Sequence, residues 1–253
     1  MTRNDSPKPF LEHFREARKR ILIFFTTWAF GSSLSYLFSE EIFGLLLVPF
    51  VKETQKNPHT IIYLGLTEAF TTYLKVALWG GIFLSFPMLV YQLWKFISPG
   101  LQSKEKSIVK PCFIISPFLF SLGALFSYFV VIPLAWRFFL SFENSSLPLP
   151  LLLEARMSDY FSLTFSFLIS FGLSFQFPLI LIGLAHLRII SSRGLALNRK
   201  YAIILIFVVA ALLTPPDVLS QILLAIPLMI LYEGTIWIIR RNEYLSENLK
   251  KHV

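Results

Sequence analysis

The sequence predicts an all-α integral membrane protein with six transmembrane helices and with both termini in the cytoplasm. The chain is 55% hydrophobic and only 15% charged, whereas soluble domains carry roughly 25% charged residues. Apolar runs of about 18 residues or more recur along it, and a helix of that length spans a bilayer. Lysine and arginine concentrate in alternate connecting segments, which places those segments on the cytoplasmic side.

The chain is predicted to be one membrane domain, residues 1–253, and not several soluble ones. Its parts are a cytoplasmic N-terminus (1–20), a six-helix bundle (21–239) and a polar cytoplasmic tail (240–253). The N-terminus is too polar for a cleavable signal peptide, so we expect the first apolar span to stay in the mature protein.

The N-terminus is also predicted to be amphipathic. Phe10, Phe14 and Ala17 recur at helical spacing between charged residues, which indicates a short helix lying on the membrane surface. The first span follows at residues 21–39 and carries no charge.

The next three spans each contain a proline, which removes a backbone hydrogen bond and tends to kink a helix. These spans are residues 73–96 with Pro87, residues 110–132 with Pro117 and residues 160–187 with Pro178. Long connections at residues 40–72 and 133–159 are expected on the outer side of the membrane.

The fifth span, residues 201–213, is short. At 1.5 Å per residue it covers about 20 Å, against a hydrocarbon core of about 30 Å. A turn at 214–217 joins it to the sixth span, residues 218–239, so the two form a hairpin. Either the bilayer thins there or a partner covers the gap, or Lys200 and Thr214 extend the helix by snorkelling.

Composition excludes several classes of function. The net charge of +8 could suggest nucleic acid, but its alternation between connections favours membrane orientation instead. Cys112 is the only cysteine, so no internal disulfide can form. The four histidines show no metal-ligand spacing, and we expect no cofactor.

Two other classes of membrane protein lack their sequence signatures in this chain. An intramembrane enzyme needs a nucleophile with a base or a metal cluster, and neither spacing is present. No phosphate-binding loop is present either, so energy for transport would come from partners or from the membrane potential. A secondary transporter usually shows internal repeats and a polar midplane site, and the sequence shows neither.

Polar residues within the spans are few, and Gln176 is the clearest of them. An amide in lipid needs hydrogen-bond partners, so Gln176 either joins two helices or serves function. Glu233 in the sixth span lies near the predicted cytoplasmic face, so the sequence indicates a functional role for it less strongly.

Two carboxylates, Glu16 and Glu105, lie on the predicted cytoplasmic face among lysines and arginines. Glu105 follows the break that Ser98, Pro99 and Gly100 make after the second span. Both could be solvated surface ion pairs of little consequence. Alternatively, two carboxylates could bind two adjacent arginines through paired hydrogen bonds and disfavour lysines.

Several motifs together resemble the TatC family, the receptor subunit of the twin-arginine protein translocase, over about residues 10–240. They are HFREARKR (13–20), GLTEAF (65–70), PMLVYQLWKFISPGL (87–101), SYFVVIPLAWRFF (127–139), FGLSFQFPL (171–179) and LLTPPDVLSQILLAIPLMILYE (212–233). The resemblance implies a concave, cup-like bundle in a bacterial inner membrane. It also implies a non-enzymatic receptor that moves folded proteins with twin-arginine signal peptides, driven by the proton-motive force.

The resemblance assigns residues to two sites. The positions matching the signal-peptide site are Glu16, Arg18, Gln92, Phe96, Pro99, Leu101 and Glu105. Single-span partners of the TatA and TatB types are expected around spans five and six, and the chain is expected to self-associate. Residues implied near those partners or within the membrane are Gln176, Pro215, Asp217 and Gln221.

The chain departs from the family pattern in two respects. Many relatives carry Glu where this chain has Gln176. An amide cannot take up a proton at ordinary pH, so a protonation cycle is not expected there, whereas hydrogen bonding is. Ala17 and Lys106 stand where relatives often have Leu and Arg, and both changes keep the character of the site.

Overall fold

The computed structural model describes residues 10–54, 60–143, 153–213 and 218–251, and nearly all of them are helical. The helices are α1 (Phe10–Leu37), α2 (Ser39–Glu53), α3 (Glu68–Ile97), α4 (Ser103–Phe126), α5 (Ile132–Leu140), α6 (Met157–Ser174), α7 (Phe177–His186), α8 (Ser192–Leu197), α9 (Arg199–Leu213) and α10 (Val218–Lys251). Two short strands, β1 (Ile61–Ile62) and β2 (Ala155–Arg156), pair in parallel. The prediction of a helical bundle is confirmed.

Four helical segments are long and apolar enough to cross a membrane, and the bent pair of α1 and α2 would make a fifth. The four are Glu68–Gly100, Glu105–Leu140, Met157–His186 and Val218–Tyr244. The fifth predicted span corresponds to α9, which has 15 residues and is therefore about 22 Å long. The chain is a multi-pass membrane protein, and its α9 is shorter than the bilayer core.

Helix α1 joins the N-terminal segment to the first span without a break. The expectation of a separate surface helix over residues 10–20 is therefore wrong. No glycine or proline interrupts residues 10–30, and a helix propagates readily once it has formed. The chain then bends by 77° into α2, a helix where the sequence predicted only a connection.

Helices α1 and α3 approach each other closely at small residues. A methyl group added at Gly81 would lie 2.7 Å from the backbone nitrogen of Ser32. Trp28 donates its indole N–H to the Leu78 carbonyl at 3.0 Å, again between the two helices. Small residues permit such close packing of membrane helices, so α1 and α3 form one rigid pair.

The third predicted span is one helical path made of three pieces. Helix α4 continues through a π-helical segment, Ser127–Val131, into α5. Pro133 lies in the first turn of α5 and lacks a backbone N–H to donate. A π-helical turn accommodates such a missing hydrogen bond without ending the helix.

The fourth predicted span consists of two helices, α6 and α7. Helix α6 ends at Ser174, and Gln176 is the residue that precedes α7. Pro178 in the first turn of α7 cannot donate a hydrogen bond to the carbonyl of Ser174. The break therefore falls beside the polar residue that the sequence singled out.

Aromatic residues join α2, α5 and α6 in the core. The rings of Trp136 and Tyr160 are stacked with centroids 5.0 Å apart, and Phe50 meets Trp136 edge-on at 4.9 Å. The buried Tyr160 hydroxyl donates to the Leu46 carbonyl at 2.5 Å. This aromatic cluster packs α2, which follows the bend after α1, against α6 of the fourth predicted span.

Glu68, the first residue of α3, is buried and contacts segments that are far apart in the sequence. Its Oε2 accepts hydrogen bonds from the backbone of Leu64 at 3.0 Å and Gly65 at 3.2 Å. Its Oε1 accepts one from the backbone of Ser158 at 3.1 Å. The Arg156 guanidinium pairs with the same carboxylate at 3.0 Å, so one side chain fixes the starts of α3 and α6.

Candidate peptide-binding site

The predicted break after the second span is present at the junction of α3 and α4. Helix α3 ends at Ile97, and a single 3-10 turn, Ser98–Gly100, leads to α4. Pro99 at this turn is exposed, whereas Phe96 and Leu101 on either side of it are half-buried. The turn therefore presents an open surface between two firmly packed helices.

Glu105, in the first turn of α4, helps to cap the start of that helix. Its Oε2 accepts a hydrogen bond from the backbone N–H of Gln102 at 2.8 Å, and the Gln102 side chain accepts from the Glu105 backbone in return. This reciprocal arrangement satisfies two N–H groups that a helix start leaves free. In the part of the chain that the structure describes, the Oε1 atom has no hydrogen-bond partner, so half of the carboxylate is free for a ligand.

Glu16 lies on α1 and is joined to α3 through Arg20. The Arg20 guanidinium forms an ion pair with the Glu16 carboxylate one turn away. Its Nη1 also donates to Oε1 of the buried Gln92 on α3 at 3.5 Å. The family resemblance assigns Glu16 and Gln92 to one site, and Arg20 is the residue that connects them.

A groove of about 260 Å³ extends from this contact between α1 and α3. Its lining is apolar except for Arg20 and Gln92, and it includes Phe96. Three of the predicted positions, Glu16, Gln92 and Phe96, thus lie in or beside one groove.

A second groove of about 270 Å³ lies between the end of α3, α4 and α7. Leu101 and Gln176, which the sequence assigned to different sites, both line it. The half-buried Cys112 lines it too, and most of its other lining is aliphatic or aromatic. This groove runs from the exposed turn toward the break between α6 and α7.

Gln176 joins two helices by paired hydrogen bonds. The Ser116 hydroxyl donates to Gln176 Oε1 at 2.6 Å, and Gln176 Nε2 donates to the Ser116 carbonyl at 3.0 Å. The interhelix hydrogen bond expected at this amide is therefore present. It links α4 to the start of α7 along the wall of the second groove.

Arg18 lies away from these residues. It lines a shallow cationic groove on another face of α1 together with Arg15, Lys19 and Leu22. Among the described residues, none of these three cations has a hydrogen-bond or ion-pair partner. The structure thus brings Arg18 to a different face of α1 from the contact between Arg20 and Gln92.

The residues predicted near spans five and six are partly described. Gln221 on α10 donates to the Phe207 carbonyl of α9 at 3.0 Å and so ties the short helix to its neighbour. Pro215 and Asp217 lie outside the described residues. Glu233 pairs with Arg199 through two contacts of 2.7 and 2.8 Å on the exposed surface between α9 and α10.

Two residues of evident importance were missed by the sequence analysis. Arg20 could have been found, since Glu and Arg four residues apart on a helix commonly pair. Glu68 belongs to the GLTEAF motif, but nothing local indicates that Arg156, 88 positions later, would contact it. Within the described ranges, no cluster of three or more His, Cys, Asp or Glu residues could hold a metal ion.

The four long apolar helical segments, and the bent pair that would make a fifth, define a multi-pass membrane protein. The family model described as "Sec-independent protein translocase protein (TatC)" matches residues 12–227. The chain belongs to this TatC family, whose members are translocase components and not enzymes.

Individual relatives agree with this assignment. The TatC protein of Rickettsia prowazekii (strain Madrid E) is 42% identical over 227 residues, which are 90% of each chain. The TatC protein of Aquifex aeolicus (strain VF5) is 36% identical over 91% of this chain and 94% of its own. A crystal structure titled as the twin-arginine translocase receptor TatC superimposes with a TM-score of 0.78 at 35% identity, covering 90% of this chain and 98% of the other.

Proposed function

We propose that this chain is the receptor that binds twin-arginine signal peptides and, with its partners, moves the attached folded proteins across the membrane. The observation that carries the proposal is the half-free Glu105 carboxylate, presented beside an exposed turn in a translocase family member. The related crystal structure is named a twin-arginine translocase receptor, and we extend that role to this chain.

Arginine recognition follows from the chemistry of the two carboxylates. A guanidinium offers a planar pair of N–H donors that fits a carboxylate, whereas an ammonium is a compact and strongly hydrated charge. Glu105 would bind one arginine through its free oxygen, and Glu16 beside Gln92 would bind the other. Pro99, Leu101 and Phe96 would contact the neighbouring apolar residues of the peptide.

The apolar part of the signal peptide would lie along the bundle. The groove between α3, α4 and α7 begins at Leu101, next to the proposed arginine site, and its lining is almost wholly apolar. In it, Gln176 and Ser116 already satisfy each other, so burial of an apolar segment there leaves few polar groups unpaired.

Partners are proposed at the short hairpin of α9 and α10. Helix α9 is too short to cross the hydrocarbon core by itself, and single-span helices of the TatA and TatB types would cover the gap beside Gln221. A bacterial inner membrane with both termini in the cytoplasm agrees with the distribution of lysine and arginine. The energy for transport would be the proton-motive force.

An export assay in cells tests this role. A reporter that carries a twin-arginine signal should be exported when the native chain is supplied, and export should fall at least about tenfold when both Glu16 and Glu105 are changed to Gln. Changing two exposed carboxylates at the start of α2, Glu40 and Glu41, provides the matched control. Full export by the Glu16→Gln, Glu105→Gln chain at native abundance would reject the site.

A further inference from the structure

A half-buried arginine, Arg20, lines one end of the groove between α1 and α3. The side chain of Arg20 is only 17% exposed, although its neighbours Arg15, Arg18 and Lys19 are all exposed. Long cationic side chains near a membrane surface ordinarily extend toward water. Arg20 instead turns inward, where the groove wall is formed by apolar residues such as Phe24 and Leu89.

The contacts of Arg20 indicate which chemical group the end of the groove suits. One guanidinium nitrogen pairs with Glu16, and another donates to the Gln92 amide oxygen at 3.5 Å. Gln92 is itself buried, so its oxygen faces the guanidinium and not water. A carboxylate and an amide oxygen at the end of an apolar groove are suited to a planar cation with an apolar stem.

Arg20 does not satisfy this site completely. Its Nε atom is buried and has no hydrogen-bond partner among the described residues. A buried N–H without a partner costs free energy because it gives up its hydrogen bond to water. Arg20 is therefore held at the end of the groove by contacts that leave one of its N–H groups without an acceptor, and a better-placed guanidinium could take its position.

We propose that the end of this groove at Glu16 and Gln92 is a guanidinium site which the chain's own Arg20 occupies at rest, and that an arginine of the incoming signal peptide displaces it. This inference rests on the proposed receptor function. On displacement, Glu16 exchanges one guanidinium for another, and Arg20 moves out to water beside Arg15 and Lys19.

The exchange makes Arg20 a determinant of specificity. A peptide arginine replaces the guanidinium of Arg20 with another guanidinium, so the contacts at this site change little. The contacts of the rest of the peptide then decide whether the peptide displaces Arg20. A peptide lysine offers no planar pair of donors and loses a larger hydration energy on entering the groove. It therefore fails to displace Arg20, although it could bind a vacant carboxylate. The preference for arginine over lysine therefore arises from competition with Arg20 as well as from the attraction between the peptide and the carboxylates.

The test is peptide binding to the purified full-length Arg20→Gln chain. Fluorescent signal peptides with Arg-Arg or Lys-Lys are titrated against the native chain, Arg20→Gln and Arg15→Gln. Arg15→Gln removes the same charge from the same helix at an exposed position without an ion-pair partner among the described residues. Far-ultraviolet circular dichroism confirms that the variants keep their helices.

We expect Arg20→Gln to bind the Lys-Lys peptide about tenfold more tightly than the native chain, and to lose most of the preference for Arg-Arg. Arg15→Gln should keep the native preference. An unchanged preference in Arg20→Gln, or an equal loss in Arg15→Gln, would overturn the inference while leaving the receptor role intact. Absence of binding to the native chain would instead reject the proposed function, and this inference with it.

Discussion

Arg156 donates from its Nε atom to both carboxylate oxygens of Glu68, at 3.0 Å each, across 88 positions of sequence. The same carboxylate accepts three backbone N–H groups from the connections that precede α3 and begin α6. Strands β1 and β2 pair alongside. Glu68 therefore holds together two long connections that the sequence treats as independent.

Replacing Glu68 by Ala should destabilise the protein. Three backbone N–H groups and one guanidinium lose their acceptor, and buried donors without partners are costly. We expect the unfolding temperature in detergent to fall by about 5 °C or more. Glu41→Ala, at an exposed position in the first turn of α2, is the control, and equal unfolding temperatures for the two variants would contradict the role given to Glu68.

Gly81→Ala should loosen the pair formed by α1 and α3. The added methyl group would approach the Ser32 backbone nitrogen to 2.7 Å, and overpacking of this kind typically costs about 1–3 kcal/mol. Gly44→Ala is the matched control, since a methyl group at that helical position meets nothing within 4 Å. The comparison is made by unfolding in mild detergent, and a Gly81→Ala chain as stable as Gly44→Ala would show that the helices are not in close contact.

The paired hydrogen bonds of Gln176 and Ser116 predict a measurable coupling. A double-mutant cycle with Gln176→Leu and Ser116→Ala should give an interaction energy of about 0.6–1.7 kcal/mol, the range found for hydrogen bonds between membrane helices. The Ser116 carbonyl remains in both chains, so the cycle reports mainly the hydroxyl contact. Strict additivity of the two substitutions would mean that the contact contributes nothing to stability.

The positions of the helices could be predicted from the sequence because apolar runs are local signals. The end of α3 at Ile97 and the break that follows it are indicated by Ser98, Pro99 and Gly100, whereas its start at Glu68 lies five residues before the predicted span. The continuity of α1 past Arg20 and the helix α2 were missed because charged residues and a long connection suggested interruption. Local composition alone does not decide whether a helix continues; packing against α3 and the core does.

The candidate site was predicted only in part, because its residues come from helices that are far apart in the sequence. Glu16, Gln92 and Phe96 were placed together by resemblance, and they do meet at one groove. Arg18 and Arg20 are two residues apart on one helix, so they lie on different faces of α1. Which of these faces meets α3 depends on how the two helices pack, and the structure brings the Arg20 face to Gln92.

The most direct test of the receptor role is the binding of a fluorescent twin-arginine signal peptide to the purified chain in detergent. Glu105→Gln can keep the helix cap through its amide oxygen but loses the charge, so we expect the Arg-Arg peptide to bind at least about tenfold more weakly. Glu40→Gln should bind as the native chain does, and a Lys-Lys peptide should bind poorly. Equal affinity of the native chain and Glu105→Gln for the Arg-Arg peptide would contradict the account.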